Sequence, residues 1–146
     1  MKKITVLLIG LFALLIISTF QNTNNRSSVV INETKFKAEF AITSKQKEIG
    51  LSKYDTIQDD FVMVFPFENN VKPIFWMKGM KFPIDIIFVN NSKIIQIFKN
   101  LPPPKSINDA LPLYQPRLFS DTVIEVKAGV SDKNNFKEGD EVRIIK

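Results

Sequence analysis

Five side chains are of types that could hold a ligand or move a proton: Trp76, Lys78, Asp85, Tyr114 and Glu125. Trp76 and Lys78 stand two positions apart, which puts them on one side of an extended strand. They would form an aromatic platform beside a cation, suited to a sugar or an anionic ligand. The same pair also fits plain packing, with Trp76 in the core or at its rim and Lys78 lying along it. That second reading is preferred, because aromatics are mostly packing. Asp85 lies between Ile84 and Ile86 in a run that is apolar on both faces, where a carboxylate is costly unless paired or hydrogen-bonded. It is either a ligand contact or an acceptor for backbone N–H groups of the Gly79–Pro83 corner, with Lys78 as another partner; the structural role is preferred. Glu125 shares a side with Val123 and Lys127. It is either part of a solvated outer-face pair or a second carboxylate converging on Asp85, and the separation would decide such a pair's chemistry. Tyr114 lines a pocket or pins a Pro-rich loop to the domain.

The absent residue types narrow the chemistry further. There is no His and no Cys among the 146 residues. That removes a Ser-His-Asp triad, an imidazole base, an HExxH zinc site, a thiol nucleophile and any disulfide. No cofactor is called for, and any metal would be a hard, oxygen-bound cation. The five glycines fit no dinucleotide or phosphate loop. The stretch from Asp132 resembles a calcium loop but carries Lys137 where that loop needs Gly. The formal charge is +5, with lysines scattered among acids rather than set in a stripe, so no nucleic-acid groove is expected.

These groups need a scaffold, and the apolar pattern supplies mostly strands. Phe36, Ala38, Phe40 and Ile42 alternate with Lys35, Lys37, Glu39 and Ala41, the period of a half-buried strand. Thr43 and Gln46 form a capping box for a short helix over 44–49 that ends at Gly50. Phe61 to Phe65 reads as a buried strand, 66–73 as a loop, and Ile74–Met77 and Ile84–Val89 as two further strands. Asn90 to Ser92 is a turn leading into the strand KIIQIF, a hairpin. Leu101 to Pro116 holds five of the eight prolines and reads as irregular. TVIEV and the segment after the Gly139-Asp140 turn complete seven or eight strands. The expected fold is mostly β: a compact antiparallel β-sandwich or barrel-like domain with one or two short helices, preceded by an N-terminal hydrophobic helix.

That N-terminal segment has Lys2 and Lys3 before an uncharged run from Ile4 to Phe20, about 17 residues, between a signal-peptide core and a membrane span in length. No clear small-residue cleavage site follows, which favours an uncleaved anchor. The positive end stays cytoplasmic, so the remainder is expected outside the cytoplasm, membrane-anchored or secreted. The organisation is then a signal peptide or membrane anchor over 1–20, a polar linker over 21–28, and one β-rich domain over 29–146.

Phe75-Trp76-Met77-Lys78 followed by Pro83-Ile84-Asp85-Ile86-Ile87-Phe88 resembles the central signature of the domain-of-unknown-function 192 family, F-W-M-K-N-T, two residues, then P-L-D-I-I-F. Gly50-Leu51, Met63-Val64-Phe65, Pro112-Leu113-Tyr114, Val123-Ile124-Glu125-Val126 with Ala128-Gly129, and Gly139-Asp140-Glu141-Val142 follow further family elements in order. The resemblance runs from about Lys35 to Ile145. Gly79-Met80 replace the family's Asn-Thr, Tyr54 its Arg and Lys127 its Asn, and the cysteines of many members are missing. The resemblance implies a compact β-rich domain, commonly secreted or membrane-attached, and no particular activity.

Together these features lead to the expectation of a non-catalytic extracytoplasmic binding or accessory domain for a carbohydrate or small anionic ligand, tethered to the membrane by its first segment. Two alternatives stand beside it: a glycoside-type hydrolase using Asp85 and Glu125, and a structural or interaction protein of the cell envelope.

Overall fold

The computed structural model of the chain describes residues 27–106 and 109–146; the expected hydrophobic helix and most of the linker lie outside them. Among the described residues no helix is long and apolar enough to cross a membrane. Strands β1 (Ser28–Ile31), β2 (Thr34–Phe40), β3 (Phe61–Val71), β4 (Ile84–Asn90), β5 (Lys93–Leu101), β6 (Ser120–Lys127) and β7 (Val142–Ile145) form one sheet in the order β5-β4-β6-β3-β2-β1-β7. The sheet curls into a half-barrel. Its two edge strands meet at one end, where Ile94 N donates to Asp140 O at 2.9 Å and Gly139 N to Ile94 O at 2.8 Å. A single curled sheet therefore replaces the sandwich alternative, and the barrel-like alternative is the one realised.

One pair departs from the antiparallel pattern: β2 and β3 run parallel. A parallel pair cannot be joined by a tight turn and needs a crossover over one face of the sheet. The crossover carries helix α1 (Ser44–Ile49) and a 3-10 turn (Gly50–Lys53). The α1 start is capped as its sequence predicts: Gln46 N donates to Thr43 Oγ1 at 3.2 Å, and Thr43 N to Gln46 Oε1 at 2.8 Å. Helix α2 (Val130–Lys133) follows β6.

Alternation along the central strands creates two cores, one on each face of the sheet. Val62, Val64, Ile87, Val89, Ile124 and Val126 pack inside the curl with Phe36, Val130 and Phe136. Met63, Phe65, Ile86, Phe88 and Val123 face the other way, under Leu51, Met77, Met80 and Phe82. The crossover and the 72–83 connection thus roof the second face. Three local expectations are corrected. Ser28, expected as the last linker residue, opens a buried strand, SVVI over 28–31, that lies between β2 and β7 and had no element assigned to it. β3 continues through Pro66 to Val71 with a register shift against β6, where a loop was expected. Ile74 to Met77 forms no strand; only Phe75 pairs, with Tyr114.

Candidate functional site

Asp85 and Glu125 sit on neighbouring strands but on opposite faces. Asp85 pairs in register with Val126, and Glu125 with Ile86. Side chains opposite one another in a ladder point the same way, and successive residues alternate. Asp85 therefore enters the inner core and Glu125 the roofed outer face. The two carboxyls are not a converging pair, so they cannot flank one scissile bond as a glycosidase dyad does.

Asp85 is 0% exposed, and both of its carboxylate oxygens accept hydrogen bonds. Oδ1 accepts from Asn100 N at 2.8 Å and Gly129 N at 3.4 Å, and Oδ2 accepts from Ser131 N at 3.0 Å. The first donor, Asn100 N, is freed by a register shift between β4 and β5, where Asn100 has a φ of 55°. The other two stand at the start of α2, where backbone N–H groups lack intrahelical partners. Asp85 thus ties a strand irregularity to a helix start. The expected partners, the Gly79–Pro83 corner and Lys78, are not the ones it uses.

Glu125 lies at the middle of the sheet, between Met63 of β3 and Ile86 of β4. It is 5% exposed, because the crossover lays Gly50 and Leu51 over it. The reading of a solvated outer-face pair with Lys127 is overturned: only Lys127 reaches outward, to Asp59 at 3.2 Å. Burial pushes the Glu125 carboxyl up to about 8, and the Leu51 backbone N–H only partly offsets this. At neutral pH the group is mostly an uncharged acid, able to donate as well as accept. Its Oε2 is buried without a hydrogen-bond partner. Buried polar atoms without partners are rare in folded proteins.

That acid forms part of the wall of a cleft of about 380 Å³ between α1 and the 72–83 connection. Trp76 and Lys78 line the same cleft, with Lys47, Glu48, Phe67 and Phe75. Trp76 is 44% exposed, so it is a surface aromatic and not part of the core. Lys47 is engaged locally: its Nζ donates to Pro66 O at 2.5 Å and stands 4.2 Å from the Phe67 ring centroid. The local chain path depends on Gly50, whose φ of 50° and ψ of −138° suit glycine. A Cβ there would stand 3.4 Å from Phe65 Cζ and 3.5 Å from Glu125 Oε2.

Tyr114 stays outside the cleft and supports it. Its backbone pairs with Phe75 through two hydrogen bonds of 2.9 Å, and its ring packs on Phe98 at 5.4 Å. The Pro-rich segment is thereby pinned to the residue before Trp76. Of the five sequence candidates, the structure brings Trp76, Lys78 and Glu125 together. Asp85 and Tyr114 position elements around them. The sequence reading did not include Lys47, Glu48 and Phe67; the available signal was Gly50-Leu51, matched to the family but not connected to Glu125. Among the described residues no group of acids could hold a metal ion.

No curated protein matches the chain. Two crystal structures share its fold. A Novosphingobium aromaticivorans protein of unknown function is 26% identical, with a TM-score of 0.69, over 80% of this chain and 83% of its own. A Sinorhizobium meliloti protein, described provisionally as a transcription regulator, is 24% identical, with a TM-score of 0.70, over 81% of this chain and 93% of its own. The model of the DUF192 family, described as Uncharacterized ACR, matches residues 27–144, from just before β1 into β7. The chain belongs to the DUF192 family.

Proposed function

We propose that the protein is a non-catalytic binding domain, held outside the cytoplasm by its first 20 residues, whose cleft takes a carbohydrate or a small anion. One observation carries this reading: a cleft that presents the half-exposed Trp76 ring and Lys78 together, with the buried acid Glu125 in its wall. Polar groups set beside aromatic and apolar side chains in a concavity are a common form of a small-molecule site, and this cleft combines Lys78 and Glu125 with Phe67, Phe75 and Trp76. Lys2 and Lys3 before the uncharged run from Ile4 support the location. The binding test is a screen of the purified protein against glycans and small anions, with the Trp76→Ala variant in parallel. Ligands bound by the parent and lost by the variant are expected; no bound ligand at all would remove the reading. Fractionation of cells tests the location, with the full chain expected in the membrane pellet. A soluble mature form starting near Gln21 would show cleavage instead.

A second reading, an interaction surface for another envelope protein, is favoured by exposed Ile49 and Ile74 at the cleft and Ile42 beside it. Crosslinking in intact cells tests it, and a purely monomeric signal would count against it.

A further inference from the structure

The free groups in the cleft narrow the ligand beyond the class proposed above, on which this inference rests. Among the described residues Lys78 makes no ion pair or hydrogen bond, and the Trp76 ring has no aromatic or cationic partner. Lys47, by contrast, is occupied by Pro66 and Phe67. What remains is a flat aromatic face, one unengaged cation and one buried acid, Glu125, three residues of different chemistry lining a common space. We propose that the cleft takes an anionic monosaccharide: the sugar ring lies on Trp76, its carboxylate or phosphate meets Lys78, and a ring hydroxyl or ring oxygen accepts from the carboxyl of Glu125.

Size and charge agree with this assignment. About 380 Å³ lies near the small end of the roughly 300–1,000 Å³ typical of ligand sites, enough for one or two sugar rings. A sugar offers an apolar C–H face to an aromatic and hydroxyls to the wall, and the anionic substituent separates this ligand from a neutral glycan. The other charged groups that line the cleft with Glu125 are Lys47 and Glu48 from α1 and Lys78 from the 72–83 connection. β3 and β4 present apolar Met63 and Ile86. Lys127 of β6 is paired with Asp59, and Glu39 of β2 with Lys53 and Tyr54. With Glu125 uncharged, the cleft keeps one net positive charge; ionising Glu125 cancels it and removes the donor. The ligand is therefore held at neutral pH and released as pH rises past the Glu125 transition near 8.

The test is calorimetric titration of the full chain with four probes, D-glucuronate, D-glucose 6-phosphate, D-glucose and inorganic phosphate, at pH 6.5 and pH 9. One or both anionic sugars are expected to bind at pH 6.5, at least tenfold more tightly than glucose or phosphate; which of the two binds better tells carboxylate from phosphate. Affinity should fall about tenfold at pH 9, following the lost protonated fraction. Glu125→Gln, which keeps an uncharged donor, should bind with less than a threefold change between the two pH values. Lys78→Ala, at an exposed position, should reduce anionic-sugar affinity to the level of glucose. Glucose binding as tightly as glucuronate, phosphate alone binding as tightly as the sugar phosphate, or an unchanged pH response in Glu125→Gln would each overturn the inference. If these four probes fail while the broader screen finds another ligand, this inference falls and the binding domain stands; if nothing binds, both fall.

Discussion

Replacing Glu125 with Gln tests the buried acid through stability alone, without any ligand. In the unfolded chain a glutamate loses its proton near 4.5, whereas the folded carboxyl holds it to about 8. Between these values the folded state binds more protons than the unfolded state, so stability falls as pH rises. The loss begins near the unfolded value and levels off above the folded one. Each pH unit within the window corresponds to about 1.4 kcal/mol, so about 3–4 kcal/mol is lost between pH 5 and pH 8. Gln has nearly the same shape and no titrating proton. Urea unfolding of parent and variant at pH 5, 6, 7 and 8 should show the variant gaining on the parent by about 3–4 kcal/mol over that range. Asp55, Asp59 and Asp132 are held below the usual carboxylate range by hydrogen bonds with Lys81, Lys127 and Lys99 respectively, chief among their partners. Their contributions are common to both proteins and cancel in the difference. Parallel stability curves across this window would mean that Glu125 ionises normally in the folded protein, and the argument from its burial would be refuted.

Three further substitutions separate scaffold from site. Asp85→Ala orphans two well-formed backbone donors, Asn100 and Ser131, and should cost about 2–6 kcal/mol in urea unfolding, with Asp85→Asn in between. Gly50→Ala places a Cβ in a backbone conformation that suits glycine and against Phe65, so a loss of about 1–3 kcal/mol is expected from the same measurement. Trp76→Ala removes a ring that is 44% exposed and should cost no more than about 1–2 kcal/mol in thermal or urea unfolding, against the roughly 3–5 kcal/mol of a core Trp, while abolishing ligand binding.

The features legible in the chain before folding are local ones. The alternation from Phe36 marks β2, and the Thr43–Gln46 box marks the start of α1, because both depend on residues a few positions apart. The turn at Asn90 to Ser92 with its flanking apolar runs likewise marks the β4–β5 hairpin. β1 was not legible, since all four of its residues are buried and show no alternation, and one of its partners, β7, lies at the far end of the chain. Pro66 reads as a strand breaker, yet the register shift against β6 accommodates it. The tertiary structure alone decided the fate of the two acids. Alternation assigns Glu125 to the side opposite Ile124 and Val126, but whether that side meets water depends on what covers it. The parallel β2–β3 pair requires a crossover, and the crossover sets Gly50 and Leu51 above Glu125. Asp85 is satisfied by donors that only chain folding brings to it, from Asn100 on β5 and from the start of α2. Burial and pairing of a charged group are properties of layers and long-range neighbours, so a carboxylate's chemistry is settled only when the sheet has curled and its roof is in place.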